Sequence, residues 1–334
     1  MEFKSKLSDN LIYKNCNWPY IILLTFVLAL ICGFRLFGID RDYYDYLNFF
    51  NSILGYDPER MFRYKFGFKY LTIFLTSLSE SYTFYLFSIS FLSLLPKIFL
   101  ISKHSRDLIF SIFIYILLIF PSQDMTQIRA GLAYSFFYFG IYLLNKSKSL
   151  YGYFFLILST TIHISTIALS FLYFLTNFFV KKEQNIIKSL FAIVFLFISL
   201  YAFSTIVSSY IPEGLGSQYL QKGETSQEVS NIFSLRVLNL LAIGSIGLRL
   251  KKMMPTQANN WLSISIFGLL IYYTMPQFKT LSLRVNEFSF FSYLLWIDYL
   301  PKNTRYISKI ILLITALSNF YLLMKGGYFY QNQI

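Results

Sequence analysis

The sequence predicts an all-α polytopic integral membrane protein, and three observations carry that prediction. Hydrophobic residues make up 56% of the 334 and charged residues only 13%, against about 25% charged in a soluble domain. Apolar runs long enough to cross a bilayer, about 20 residues each, recur from end to end. The short alternating segments of a transmembrane β-barrel do not occur. The expected architecture is a single transmembrane domain over 1–334, with about 10–12 transmembrane helices. One short re-entrant or interfacial segment and two larger outer loops, 39–65 and 212–231, complete it.

In chain order, the expected crossings are 18–38, 82–101, 108–121, 127–145, 150–163, 165–180, 187–211, 232–250, 260–276, 284–300 and 306–324. The first run, Trp18–Gly38, follows Lys4, Lys6 and Lys14. It is too long for a signal-peptide core and no small-x-small site ends it, so it reads as a retained helix. The segment 66–79 is too short and too close to the next run to span, which makes it the interfacial or re-entrant piece. Between 150 and 180 the chain fits either one tilted helix or two short ones.

Orientation follows from lysine and arginine. With the N-terminus cytoplasmic, the inner loops hold Lys103 and Arg106, Lys146 and Lys148, Lys181, Lys182 and Lys188, Arg249, Lys251 and Lys252, and Lys302, Arg305 and Lys309. That excess over the outer segments is the positive-inside pattern, and it requires 150–180 to cross twice. The net charge of +13 is then explained by cytoplasmic loops, and no nucleic-acid partner is expected. The acids Asp40, Asp42, Asp45, Asp57, Glu59, Asp124, Glu213, Glu224 and Glu228 all fall on the outer side. Cys16 and Cys32 form no metal-thiolate or disulfide pattern.

Four polar residues inside apolar runs arrive at the outer face. Arg129 opens the helix of "QIRAGLAYSFFYFGIYLL" (127–144), and His163 closes the following run in "TTIHISTIALSFLYFL" (160–175). Arg236 lies a turn deep in "NIFSLRVLNLL", and Arg284 starts "LSLRVNEFSFF". Snorkelling accounts for any one of them. It does not account for Arg236 a full turn deep, where a cation needs a cavity or a partner. Guanidinium forks suit a phosphate or pyrophosphate, because they bind two oxygens at once and stay charged when desolvated. There is no glycine-rich phosphate loop. Asp40 and Asp42 in "DRDYYDY" (40–46) are spaced for a divalent ion, but a solvated loop is the simpler reading, and no metal is expected. His163 suits either a hydrogen-bonded helix residue or a proton acceptor or donor. His104, in a basic inner loop, is given no role. Aromatics such as those of "YYDYLNFF" (43–50) belong at membrane interfaces and also stack on sugars.

These segments resemble the EpsG-like, Wzy-type polysaccharide polymerases. The "QIRAGLA" helix and the "IHIS" segment, separated by the basic turn with Lys146 and Lys148, carry the likeness most specifically. "DRDYYDYLNFF" (40–50) resembles the family's aspartate–tyrosine stretch, and "LSLRVNEFSFFSYLL" (281–295) its late arginine helix. The chain departs at "YKFGFKYL" (64–71), where Lys65 replaces a usual acid, and at Ala130, where glutamine is usual. The resemblance implies an enzyme of the bacterial inner membrane, a glycosyltransferase active on the periplasmic face. It would join undecaprenyl-pyrophosphate-linked glycan donor and acceptor in O-antigen or capsule synthesis. Under that reading Arg129, Arg236 and Arg284 bind the pyrophosphate, and His163, Asp40 or Asp42 takes the proton of the attacking hydroxyl. No cofactor is implied. The lipid bilayer and a chain-length regulator protein are the expected partners. An O-antigen ligase and a lipid-linked oligosaccharide flippase share part of this logic.

Overall fold

The structure, a computed structural model, describes residues 17–55, 66–163, 165–167, 169–170, 173–174, 233–274, 279–325 and 329–330. The expected crossing 187–211 and the outer loop 212–231 lie outside them. Eleven α-helices fall within the described residues. They are α1 Trp18–Gly33, α2 Tyr43–Leu54, α3 Phe66–Leu78, α4 Tyr82–His104, α5 Leu108–Leu118, α6 Ile128–Asn145 and α7 Ser149–Ile162, followed by α8 Leu235–Leu250, α9 Thr256–Thr274, α10 Lys279–Trp296 and α11 Lys302–Lys325. The two-residue strands β1 Ile39–Asp40 and β2 Phe329–Tyr330 pair antiparallel, Ile39 opposite Tyr330 and Asp40 opposite Phe329.

By length and composition, α4 and α11 suffice to cross a membrane, while α1, α3, α5 and α7 are apolar but shorter. The helix ends follow local chemistry. Ser81 caps α4 by accepting from the Phe84 N–H at 3.4 Å, and Asp107 caps α5 through the Phe110 N–H at 3.2 Å. Two helices end in Schellman turns with a residue other than glycine in the left-handed region. After α1 that residue is Arg35, with φ 53°; the Leu36 N–H reaches the Ile31 carbonyl and the Arg35 N–H the Cys32 carbonyl. After α6 it is Ser147, with φ 59°, and the resulting turn folds α7 back along α6.

The chain forms two compact units, 1–170 with 316–334, and 171–315. In the first, α1 packs on α4, α4 on α6, α6 on α7 and α3 on α7. The 39–65 segment is not an open loop where it is described. Its helix α2 turns Tyr46, Phe49, Phe50 and Ile53 inward, at i, i+3, i+4 and i+7, onto Phe68, Tyr85 and Ile89. Those aromatics are core, while Tyr44 stays exposed. In the second unit, α9 and α10 approach so closely that a Cβ on Gly268 would lie 2.2 Å from Ser289 Oγ. Ser265 and Ser292 hydrogen-bond between these two helices, and the Trp296 indole donates to Ser265 at 2.9 Å.

Two features of burial depart from a soluble protein. Leu150, Tyr151, Phe154 and Ile157 of α7 and Ile307, Ile310, Ile314 and Leu317 of α11 are exposed, whereas Lys97 and Asp124 are fully buried. Hydrocarbon around the helices explains both halves of that pattern.

Candidate anion site at the head of the sixth helix

Between α5 and α6 the chain makes one π-helical turn, Pro121–Thr126, a geometry frequent at functional sites. Its sequence, "PSQDMT", puts Asp124 in the interior, where a carboxylate must be paired. Asp124, expected in an outer loop, accepts from Lys97 Nζ at 2.7 Å, from Ser93 Oγ at 2.6 Å and from the Tyr115 hydroxyl. Its backbone carbonyl accepts from Ser90 Oγ at 3.4 Å and from Cys32 Sγ at 3.5 Å. Helices α1, α4 and α5 therefore all grip this one turn. Gly131 of "IRAG" completes the fit, since a Cβ there would meet the Gln123 carbonyl at 2.4 Å.

Arg129 is the second residue of α6, directly beyond the turn, and is half-buried. His163 follows α7 in extended backbone, φ −142° and ψ 120°, and is buried; the chain is helical again from Ser165. Because α6 and α7 form an antiparallel hairpin about the 146–148 turn, Arg129 and His163 occupy the same end of it. The Tyr134 ring of α6 lies 6.2 Å from the His163 ring. His163 Nδ1 accepts from the Ser165 N–H at 3.3 Å and contacts Ser165 Oγ at 2.6 Å. With Nδ1 accepting, the neutral ring carries its proton on Nε2.

Asp40 and Asp42 are adjacent but differ. Asp40 is buried; its Oδ2 is 2.7 Å from Arg35 Nη1, and its Oδ1 accepts the Asp42 N–H at 3.0 Å. Burial pushes the Asp40 carboxyl above its ordinary value of 3.8, against the downward pull of Arg35. Asp42 sits at the N-cap position of α2, half-buried, 3.4 Å from Arg41 Nε.

Arg236 and Arg284 belong to the second unit. Arg236 of α8 lies over the Phe290 ring of α10, 5.2 Å from its centroid. Arg284 is six residues earlier on α10, an axial step of roughly 9 Å. The structure thus groups Arg129 with His163 and Arg35 with Asp40 in one unit, and Arg236 with the Arg284 helix in the other. Asp298, at the end of α10, pairs with Lys309 Nζ at 2.9 Å.

Sequence reasoning missed Arg35 and the Lys97–Asp124 pair. A signal was present for the pair: Lys97 follows Pro96 inside an otherwise apolar run, and an intramembrane charge implies a partner. Arg35 was hidden within the apolar run 18–38.

The EpsG family model matches residues 18–333, which takes in every element described above. The chain belongs to the EpsG family. This is a family of Wzy-type polymerase-like proteins, and with its apolar helices the EpsG chain is a membrane protein linked to polysaccharide synthesis. No curated protein and no solved structure matches it.

Proposed function

We propose that this EpsG-family chain is a Wzy-type polysaccharide polymerase of the bacterial inner membrane, for O-antigen or capsule. With its N-terminus cytoplasmic and 10–12 crossings, roughly as the apolar runs suggest, its reacting face is periplasmic. The acceptor hydroxyl of one lipid-linked repeat attacks the anomeric carbon of the undecaprenyl-pyrophosphate-linked donor. A carbon–oxygen bond forms to the acceptor, the bond to pyrophosphate breaks, and undecaprenyl pyrophosphate leaves with the electron pair. A chain-length regulator is the expected protein partner.

The observation that carries this reading is Arg129, set at the head of α6 by a braced π-turn and sharing its end of the hairpin with His163. Pyrophosphate gains charge as the glycosidic bond breaks, so a cation fixed there favours the transition state over the ground state. Arg236 and Arg284 are assigned the same role. His163, with its proton on Nε2, suits a donor to a phosphate or sugar oxygen better than a base. Proton acceptance then falls to Asp40 or Asp42, and the raised Asp40 carboxyl fits that task.

The test is a polymer-ladder assay on purified protein in nanodiscs with its undecaprenyl-pyrophosphate-linked repeat unit. A ladder that disappears in Arg129→Ala supports the assignment. No ladder from the cognate repeat transfers the reading to an O-antigen ligase or a flippase, and an undiminished ladder in the variant removes Arg129 from the reaction.

A further inference from the structure

Arg35 stands at the C′ position of a Schellman turn, where glycine is the usual residue because the backbone is left-handed. A side chain in that conformation costs roughly 1–2 kcal/mol. The turn directs the guanidinium into the interior, where the side chain is 7% exposed. There Nη1 donates to the Met125 carbonyl of the π-turn and lies 2.7 Å from Asp40 Oδ2. The face of the group lies over Tyr43, 5.6 Å from the ring centroid. Both polar contacts fall on one nitrogen. Nε and Nη2, the two donors of the opposite edge, are buried and face no hydrogen-bond acceptor among the described residues.

That edge is the one with which arginine binds two oxygens in parallel. Leaving it unmatched in a buried site is unfavourable; Asp40 approaches Arg35 only at Nη1, through an Oδ2 that makes no hydrogen bond among the described residues, while its Oδ1 accepts the Asp42 N–H. The carbonyl that Arg35 holds, Met125, precedes Arg129 by four residues. Two guanidiniums therefore attach to opposite ends of the segment that opens α6. We propose that the Nε–Nη2 edge of Arg35 binds a phosphate group of the lipid-linked substrate, so that Arg35 and Arg129 take the two phosphates of one pyrophosphate. The inference rests on the polymerase reading for its ligand.

The experiment measures binding of radiolabelled farnesyl pyrophosphate to the full chain in nanodiscs. Arg35→Lys keeps the charge and a partner for Asp40 but removes the edge, and is expected to weaken binding about tenfold or more. Asp40→Asn removes the negative charge beside the site and is expected to tighten binding a few-fold. Inorganic pyrophosphate should compete and farnesol should not, which places recognition in the phosphates rather than the tail. Unchanged affinity in folded Arg35→Lys, no tightening in folded Asp40→Asn, or competition by farnesol would each overturn the assignment. The two readings fail separately. Arg35-dependent binding without a ladder sinks the polymerase and keeps the site, whereas a ladder with unaltered donor KM in Arg35→Lys sinks the site and keeps the polymerase.

Discussion

Lys97–Asp124 and Arg35–Asp40 are both buried ion pairs of the first unit, and each closes at 2.7 Å. They differ in what is left over. Asp124 takes three side-chain donors on its carboxylate, all of them from α4 and α5, so the pair is saturated inside the bundle. Arg35 spends one nitrogen on two partners and keeps a whole edge buried and unmatched. A buried pair is weak evidence for stability in itself, because desolvation offsets attraction. A saturated pair fixes geometry. A half-used one is poised for a ligand.

The largest expected effect breaks the saturated pair. Asp124→Ala leaves the Lys97 cation buried without its counter-charge and should lower stability by about 3–5 kcal/mol, read from the unfolding midpoint in detergent. The double change Lys97→Met with Asp124→Leu should recover most of that loss. If it restores folding but not the ladder, the pair serves to place the turn before Arg129; if the single variant unfolds no more readily than the parent, the pair fixes nothing.

Gly131→Ala sharpens the same point without touching a charge. Its Cβ would lie 2.4 Å from the Gln123 carbonyl, so α6 or the π-turn must shift, at roughly 1–3 kcal/mol. The ladder should fall with it. Normal stability would show that the turn yields easily and is not what holds Arg129.

The two left-handed turn residues give a smaller contrast. Ser147→Gly relieves backbone strain and should raise stability by about 1 kcal/mol. Arg35→Gly relieves the same strain yet strands the Asp40 carboxylate, so its midpoint should fall. A gain in both would mean that Arg35 holds nothing.

The smallest effect is in pH. Because burial raises the folded Asp40 carboxyl above 3.8, the folded state holds its proton more tightly than the unfolded one. The stabilising contribution is therefore complete below about 3.8 and declines as pH rises through the folded value. Wild-type stability measured against Asp40→Asn should fall over that window; a rise with pH would show that Arg35, rather than burial, governs the group.

The sequence by itself determined the helical class, most helix positions and the placing of Arg129 at the mouth of its helix, because apolar run length and polar interruptions are local properties of the chain. Over 150–180 it left one tilted helix or two short ones open, and the extended backbone at His163 is a finding of the structure. It could not determine that 43–54 forms a packed helix, since the inward stripe of Tyr46, Phe49, Phe50 and Ile53 has meaning only against Phe68 and Tyr85. Nor could it tell a solvated outer acid from Asp124, whose partners lie 9 to 31 residues away. The tertiary structure decided which charges meet. Desolvation makes an unpaired interior charge intolerable, but only the packing of α1, α4 and α5 around one π-turn says which partner answers it, and which edge of Arg35 is left over.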